Sequence, residues 1–248
     1  MYNPFTLVGK TLFITGASSG IGRATAIECA KMGAMLIITG RNKARLNESF
    51  CKLEGKGHQQ FTAELSATEN IEELVSKLPA LDGIVHCAGI AEPLPFQFLN
   101  SEKLKNVLDI NFTAPSILTQ QLLKAKKVNK NASIVFISSV SGVYCSSVGG
   151  SAYSASKGAI NGLAKGMALD LAAKSIRVNC VNPGMIKTNI FEGGTITEEQ
   201  LADDVKKYPL KRYGLPEEVS YAVIYLLSDA SKWVTGSNLL IDGGYTLL

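Results

Sequence analysis

In the stretch SAYSASKGAINGLAKGM, residues 151–167, a phenol and an ammonium stand one helical turn apart, at Tyr153 and Lys157. A free phenol ionises near pH 10, so only about one molecule in a thousand is phenolate at neutral pH. A neighbouring cation favours the charged form, and each tenfold change in that balance takes about 1.4 kcal/mol. Side chains at i and i+4 share a helical face, which brings the Lys157 ammonium toward Tyr153. A phenol so placed can give a proton to a carbonyl being reduced, or take one from an alcohol being oxidised. The pair alone is weak, because a packed ring beside a lysine with a solvated head is a common surface arrangement. Ser139, closing the run IVFISS (134–139), adds a hydroxyl that can hold the substrate oxygen at the phenol, with Ser138 as the competing assignment.

A second motif is made for phosphate. TGASSGIG (15–22) joins an apolar run to a helical pattern, with Gly16, Gly20 and Gly22 spaced G-x-x-x-G-x-G. Such a turn lets the backbone around Ser18, Ser19 and Ile21 approach a pyrophosphate, and the helix N-terminus adds the positive end of its dipole. Chains that bind NAD carry an acid at the end of the second strand for the ribose hydroxyls. Here IITGRN offers Gly40, Arg41 and Asn42. A carboxylate would repel a 2′-phosphate, whereas an arginine grips one through charge-assisted hydrogen bonds. The expected cofactor is therefore NADP(H) rather than NAD(H), with Thr39 or Arg23 as possible helpers to Arg41.

These residues need a scaffold that delivers them to one edge. The apolar runs TLFITG (11–16), MLIITG (35–40), LDGIVHCAG (81–89), ASIVFISS (132–139), IRVNCVNPG (176–184) and NLLIDGG (238–244), with the weaker QQFTAEL (59–65), read as seven strands. Helical patterns separate them, including one around 102–127 and one opened by Tyr153. Strands apolar on both faces, alternating with helices, imply an α/β Rossmann-like, doubly wound parallel sheet, expected as one domain over 1–248. The composition agrees: 46% hydrophobic, 19% charged, net charge +4, with no nucleic-acid footprint and no apolar run of membrane-spanning length. The N-terminal residues carry no charged-then-apolar signal pattern, so a cytoplasmic location is expected. Five scattered cysteines without a CxxC pair read as small core hydrophobes in a reducing compartment. Two histidines, His58 and His86, give no metal-ligand spacing, and no metal is expected.

Taken together, the glycine turn, Ser139, Tyr153 and Lys157 resemble the short-chain dehydrogenase/reductase family over essentially the whole chain. The resemblance implies that Asn111 in LDINFTAP joins the catalytic set, its backbone carbonyl holding a water that relays protons to the lysine, while Lys157 also holds the nicotinamide ribose. It further implies that Pro183 and Gly184 make a turn after which Ile186 and Thr188 hold the nicotinamide carboxamide. AELS (63–66) resembles the family's Asp-Val/Leu turn at the adenine, with Glu64 in the aspartate's place and Leu65 following. HCAGI (86–90) matches an Asn-Asn-Ala-Gly turn at the cofactor only in Ala88 and Gly89. Cys87 stands where an asparagine usually steadies the central sheet, and no nucleophilic role is expected of it.

Further expectations follow from the same resemblance. The segment 186–215 shapes the substrate pocket, with Gly193 and Gly194 for flexibility and Phe191, Tyr208 and Leu210 as walls, joined by Tyr144 and Cys145. Ala155, Ala159, Gly162, Gly166 and Ala168 lighten one helix for close approach of a second copy, in a homotetramer or otherwise a dimer. Among known families the pattern is most similar to bacterial 3-oxoacyl-acyl-carrier-protein reductases. An acyl carrier protein would then meet Lys124, Lys126, Lys127 and Lys130, lysines that serve equally as a solvated helix end. A reductase of sugar-derived or other small ketones is the alternative, and a nucleotide-sensing scaffold without turnover a more distant one.

Overall fold

The protein is described here from a computed structural model, covering residues 2–188 and 198–247. Seven strands form one sheet in the order β3-β2-β1-β4-β5-β6-β7, every neighbouring pair parallel. They are β1 (Thr11–Thr15), β2 (Met35–Gly40), β3 (Gln59–Thr62), β4 (Leu81–His86), β5 (Val128–Ile137), β6 (Arg177–Pro183) and β7 (Asn238–Ile241). Strand side chains alternate between faces, and here both faces are covered. Leu12, Ile14, Leu36 and Ile38 enter one core, with Ala26 and Cys29 of helix α1 (Gly20–Lys31) and Val219 and Val223 of α8 (Pro216–Leu227). Phe13, Ile37 and Ile84 enter the other, with Leu74, Leu118 and Ile160 of α3 (Thr68–Lys77), α5 (Ala114–Lys124) and α6 (Ser151–Asp170). The Rossmann-like doubly wound expectation holds.

Chain direction reverses its progress across the sheet between β1 and β4, so a crevice opens beyond their carboxyl ends. Both TGASSGIG and HCAG leave the sheet at that crevice.

Several boundaries differ from the sequence reading, each for a local reason. The long pattern at 102–127 is two helices, α4 (Ser101–Leu108) and α5, joined by a π-helical turn at Asp109–Thr113, and Pro115 sits in the first turn of α5. The helical run is continuous here, the Ala114 amide donating to the Asp109 carbonyl, and Pro115, which has no amide proton to give, follows the widened turn. After β2, helix α2 (Lys43–Phe50) is short, capped by the Asn42 side chain accepting from the Arg45 amide at 3.0 Å. The third and seventh strands are shorter than read, and β5 ends at Ile137, leaving Ser138 and Ser139 just past it. A short helix, α7 (Glu198–Val205), lies within the segment read as pocket loop. Only Cys29 and Cys180 are core residues; Cys51 is exposed and Cys87 and Cys145 are half-buried, all five free thiols.

Candidate active site

Tyr153 lies in the first turn of α6, and Lys157 one turn on. Lys157 is 6% exposed; its Nζ donates to the Ile137 carbonyl at 2.8 Å and lies 5.6 Å from the Tyr153 ring centroid. A Cβ built on Gly89 would stand 3.5 Å from that Nζ and 3.2 Å from Asn111 Oδ1. The structure thus brings Gly89, Asn111, Lys157 and Tyr153 to one place.

The loop after β5 is pressed against the same helix by a glycine. Gly142 has φ +96°, and a Cβ there would meet the Ser154 carbonyl at 2.2 Å and the Gly158 amide at 2.8 Å. No other residue type fits that approach. It seats the Ser139–Gly142 loop beside the turn that carries Tyr153.

The two serines separate cleanly. Ser138 is 3% exposed; its hydroxyl donates to the Lys157 carbonyl at 3.1 Å and accepts from Asn161 Nδ2 at 2.6 Å. It is committed to holding helix to strand. Ser139 is 9% exposed, and its Oγ accepts from the Ser141 amide at 3.1 Å, which leaves its own proton to give. The geometry favours Ser139 as the hydroxyl facing a substrate.

Asn111 is 2% exposed in the π turn. Its Oδ1 accepts from the Ile90 amide at 2.8 Å, and its Nδ2 donates to the Ile90 carbonyl at 2.9 Å and to Ser156 Oγ at 3.1 Å. The side chain therefore locks the HCAGI turn to the helix layer. A π turn widens the helical ladder by one residue and is frequent at functional sites. Sequence reasoning missed three supports of this arrangement: Ser156, Asn161 and Asn182. Asn182 donates to the Ser139 carbonyl at 2.7 Å and to Asn161 Oδ1 at 3.1 Å. The available signal was Asn161 four residues after Lys157, a polar side chain repeated on a buried face.

At the other end, Gly16 has φ +66°, and a Cβ on it would meet the Ala88 amide at 2.6 Å. The glycine turn and HCAG are that close. The turn at Cys87 is held by Thr15, whose Oγ1 accepts from the amides of Cys87 at 3.2 Å and Ala88 at 3.3 Å. Burial pushes the Cys87 thiol up to about 12, against the pull of Lys157, so it stays protonated. Beneath it, His86 is 4% exposed, stacked on Phe136 at 4.8 Å, with Nε2 2.8 Å from Thr119 Oγ1. Thr119 spends its own proton on the Pro115 carbonyl at 2.8 Å, so His86 is the donor of the pair. Burial pushes the His86 pKa down to about 3.

Helix α1 begins after Ser19, which is extended and gives no side-chain cap, so first-turn amides face the crevice. A Cβ on Gly20 would lie 3.2 Å from Thr188, bringing the end of the described segment after β6 to the glycine turn. Gly184 is tied to β7 by its amide to the Ile241 carbonyl at 2.9 Å, and Ile186, 7% exposed, bridges Gly214. The place of an NAD-type acid is Gly40, where a Cβ would lie 3.1 Å from Ser18 Cβ and 3.2 Å from its Oγ. The Ser18 side chain has taken that room. Arg41 is 61% exposed and pairs with Glu64 at 3.6 Å. Its two expected helpers are spoken for. Thr39 is fully buried and donates to the Phe61 carbonyl at 2.6 Å. Arg23 donates to Ser49, to the Ser18 and Arg45 carbonyls and to Glu48, tying α1 to α2. The crevice, with its glycine approach and uncapped first-turn amides, fits the diphosphate of a dinucleotide.

The pocket walls are partly corrected. Phe191, Gly193 and Gly194 lie outside the described residues. Tyr208 is not a wall: it is 4% exposed, stacked on Tyr245 at 4.9 Å and edge-on to Tyr213 at 5.4 Å. Leu210 and Tyr144 are exposed. The lysines at 124, 126, 127 and 130 stand at the start of β5, while Ser139 follows its far end, so they do not border this chain's own cleft. On α6, Ala155, Gly162 and Gly166 face outward, whereas Ala168 belongs to the core.

Among the described residues no helix is long and apolar enough to cross a membrane. The profile of a family described as enoyl-(acyl carrier protein) reductase matches residues 16–246. The 3-oxoacyl-[acyl-carrier-protein] reductase of Rickettsia felis is 36% identical over 245 residues, covering 98% of this chain and 99% of that one. A tropinone reductase homologue of Arabidopsis thaliana is 36% identical over 254 residues, covering 98% and 94%. A solved short chain dehydrogenase family protein from Francisella tularensis superposes with TM-score 0.85 at 31% identity, over 96% of this chain and 99% of the other. Fold, crevice and full-length likeness lead to one conclusion: this chain is an oxidoreductase of the short-chain dehydrogenase/reductase family, a family that works with NAD(P)(H) on alcohols and carbonyls.

Proposed function

We propose that the protein is an NADPH-dependent reductase of a 3-oxoacyl thioester, with Tyr153 as the acid that protonates the new alcohol. The observation that carries this reading is the buried ammonium of Lys157 beside the Tyr153 ring. Removing an ammonium from water costs several kcal/mol, and a purely structural helix position has no need of it. When bound, the cofactor supplies the hydride. The chain's own residues do the rest. Ser139 donates its free proton to the substrate oxygen and holds it at the phenol. Tyr153 gives up its proton as negative charge builds on that oxygen, and the Lys157 ammonium stabilises the phenolate left behind. Asn111 holds the turn at Gly89, keeping the floor under the reacting groups fixed. Arg41 reaches for the ribose 2′-phosphate, while Gly16, Ser18, Ser19, Gly20, Ile21 and Gly22 line the diphosphate and Ile186 and Thr188 the carboxamide.

Similarity to carrier-protein reductases favours the thioester. The same percentage identity to a tropinone reductase homologue favours a second reading, a small ketone not carried as a thioester. The test is NADPH oxidation with acetoacetyl thioesters against a panel of such ketones. A kcat/KM for the thioester no better than for the ketones removes the first reading. An assembly of copies through the outward small face of α6, as a homotetramer or a dimer, and a cytoplasmic location accompany it.

A further inference from the structure

Strands β2 and β3 pair with Gly40 opposite Thr62, and the Ala63 amide donates to the Gly40 carbonyl at 3.3 Å. The residues just beyond, Arg41 and Glu64, therefore emerge side by side at the adenosine end of the crevice. Glu64 Oε2 lies 3.6 Å from Arg41 Nη1, and Oε1 accepts from the Ser66 amide at 3.4 Å. Asn70 Nδ2 donates to the Glu64 carbonyl at 3.1 Å, fixing the turn that presents the side chain. An aspartate at this position is one methylene shorter and would retreat from the guanidinium.

Resting on the reading of Arg41 as the 2′-phosphate contact, we propose that Glu64 is a specificity-determining residue that occupies the Arg41 guanidinium as an internal anion and so weakens NADPH relative to NADH. Both partners are well exposed, and such pairs shift an equilibrium by no more than about fivefold. That is a hold a phosphate can break, since a phosphate monoester carries about two charges and three acceptor oxygens against the carboxylate's one charge. NADPH must displace Glu64 and then sit beside its carboxylate. NADH meets neither cost, because its 2′-hydroxyl leaves the pair intact. Glu64 thereby moderates a preference that Arg41 creates.

The test measures dissociation constants of NADPH and NADH by calorimetry for the wild type, Glu64→Gln, Glu64→Asp, Arg41→Ala and the Arg41→Ala/Glu64→Gln double variant. Glu64→Gln is expected to tighten NADPH by about three- to fivefold and to leave NADH within about twofold. Glu64→Asp gives a smaller gain in the same direction, and the gain drops below about twofold in the Arg41→Ala background. Equal effects on both cofactors would mean that Glu64 serves the adenine, and an unchanged or weakened NADPH would mean that it orients Arg41 or does nothing; each overturns the proposal. If Arg41→Ala alone leaves the NADPH-to-NADH ratio unchanged, the underlying reading of Arg41 fails instead. If Arg41→Ala lowers that ratio while Glu64→Gln fails to raise it, only the role of Glu64 is lost.

Discussion

The two ends of the crevice are built by opposite means. Around Lys157, the buried side chains of Ser138, Asn161, Asn182 and Asn111 are hydrogen-bonded to one another or to the neighbouring helix and strand. Around Arg41, the groups are exposed and joined by one long ion pair. Buried networks are stiff and intolerant of change, because an abandoned polar partner keeps its desolvation cost. Exposed pairs are weak and easily exchanged. On the proposed function, the comparison amounts to a division of labour: chemistry sits where the fold is rigid, and cofactor choice where substitutions cost little.

The strongest way to break this division is at Tyr153. Tyr153→Phe keeps the ring over Lys157 and removes only the proton donor, so kcat is expected to fall about a thousandfold while the thermal midpoint changes little. A variant retaining a tenth of the activity would show that another group protonates the product. Next comes Arg41→Ala, expected to weaken NADPH about ten- to hundredfold through loss of charge-assisted hydrogen bonds, with NADH and kcat nearly unchanged. Matching losses for both cofactors, measured by titration, would show that the exposed end carries no phosphate selectivity.

A third prediction sharpens the contrast through the turn that the two ends share. His86 is neutral in the fold with its pKa near 3, against 6.5 for the free side chain. Between those values the unfolded chain binds the extra proton and the folded chain does not, so stability falls as pH drops from 6.5 toward 3. The contribution of this one group approaches about 1.4 kcal/mol per pH unit in that window and vanishes above it. Urea midpoints measured from pH 7 to pH 4 should fall less steeply in His86→Asn than in the wild type. Parallel slopes would assign the acid sensitivity to other groups.

How much of this was legible in the sequence follows from the same contrast. The inner strands were readable because both faces of each are apolar, unlike the polar and partly exposed β3, and the glycine turn and the Tyr153–Lys157 spacing because they are local in the chain. Ser138 and Ser139 are chemically identical neighbours, and only the partners of the first, Lys157 and Asn161 on α6, tell them apart. The π turn at Asp109–Thr113 leaves no mark in an i, i+3, i+4 pattern, which is why one long helix was read there. The Arg41–Glu64 pair joins residues 23 apart through the register of β2 on β3, information that belongs to the pairing and not to either segment.

The smallest expected effect concerns a third region, at the amino ends of the strands, opposite the crevice. Lys124, Lys126 and Lys130 are exposed at the start of β5, and Lys127 donates to the Leu78 carbonyl, an ordinary closure of a helix end. From Lys130 to Ser139 the strand runs roughly 20–25 Å, at about 3.3 Å per residue with a bulge between Val128 and Ser133 that takes up part of the chain. Charges at that distance are screened, since the Debye length at physiological salt is about 8 Å. Replacing Lys124, Lys126 and Lys130 together by Glu is therefore expected to leave kcat/KM for a free acetoacetyl thioester within about twofold of wild type, a limit set by that screening. A tenfold loss with the free thioester would mean that the lysines act on the cleft through the fold, contrary to the separation of the two ends of the strands. A loss seen only when the thioester is carried on an acidic protein would have another meaning. Because the lysines do not border their own chain's cleft, it would place the carrier on one chain and the reaction in the cleft of a neighbouring copy.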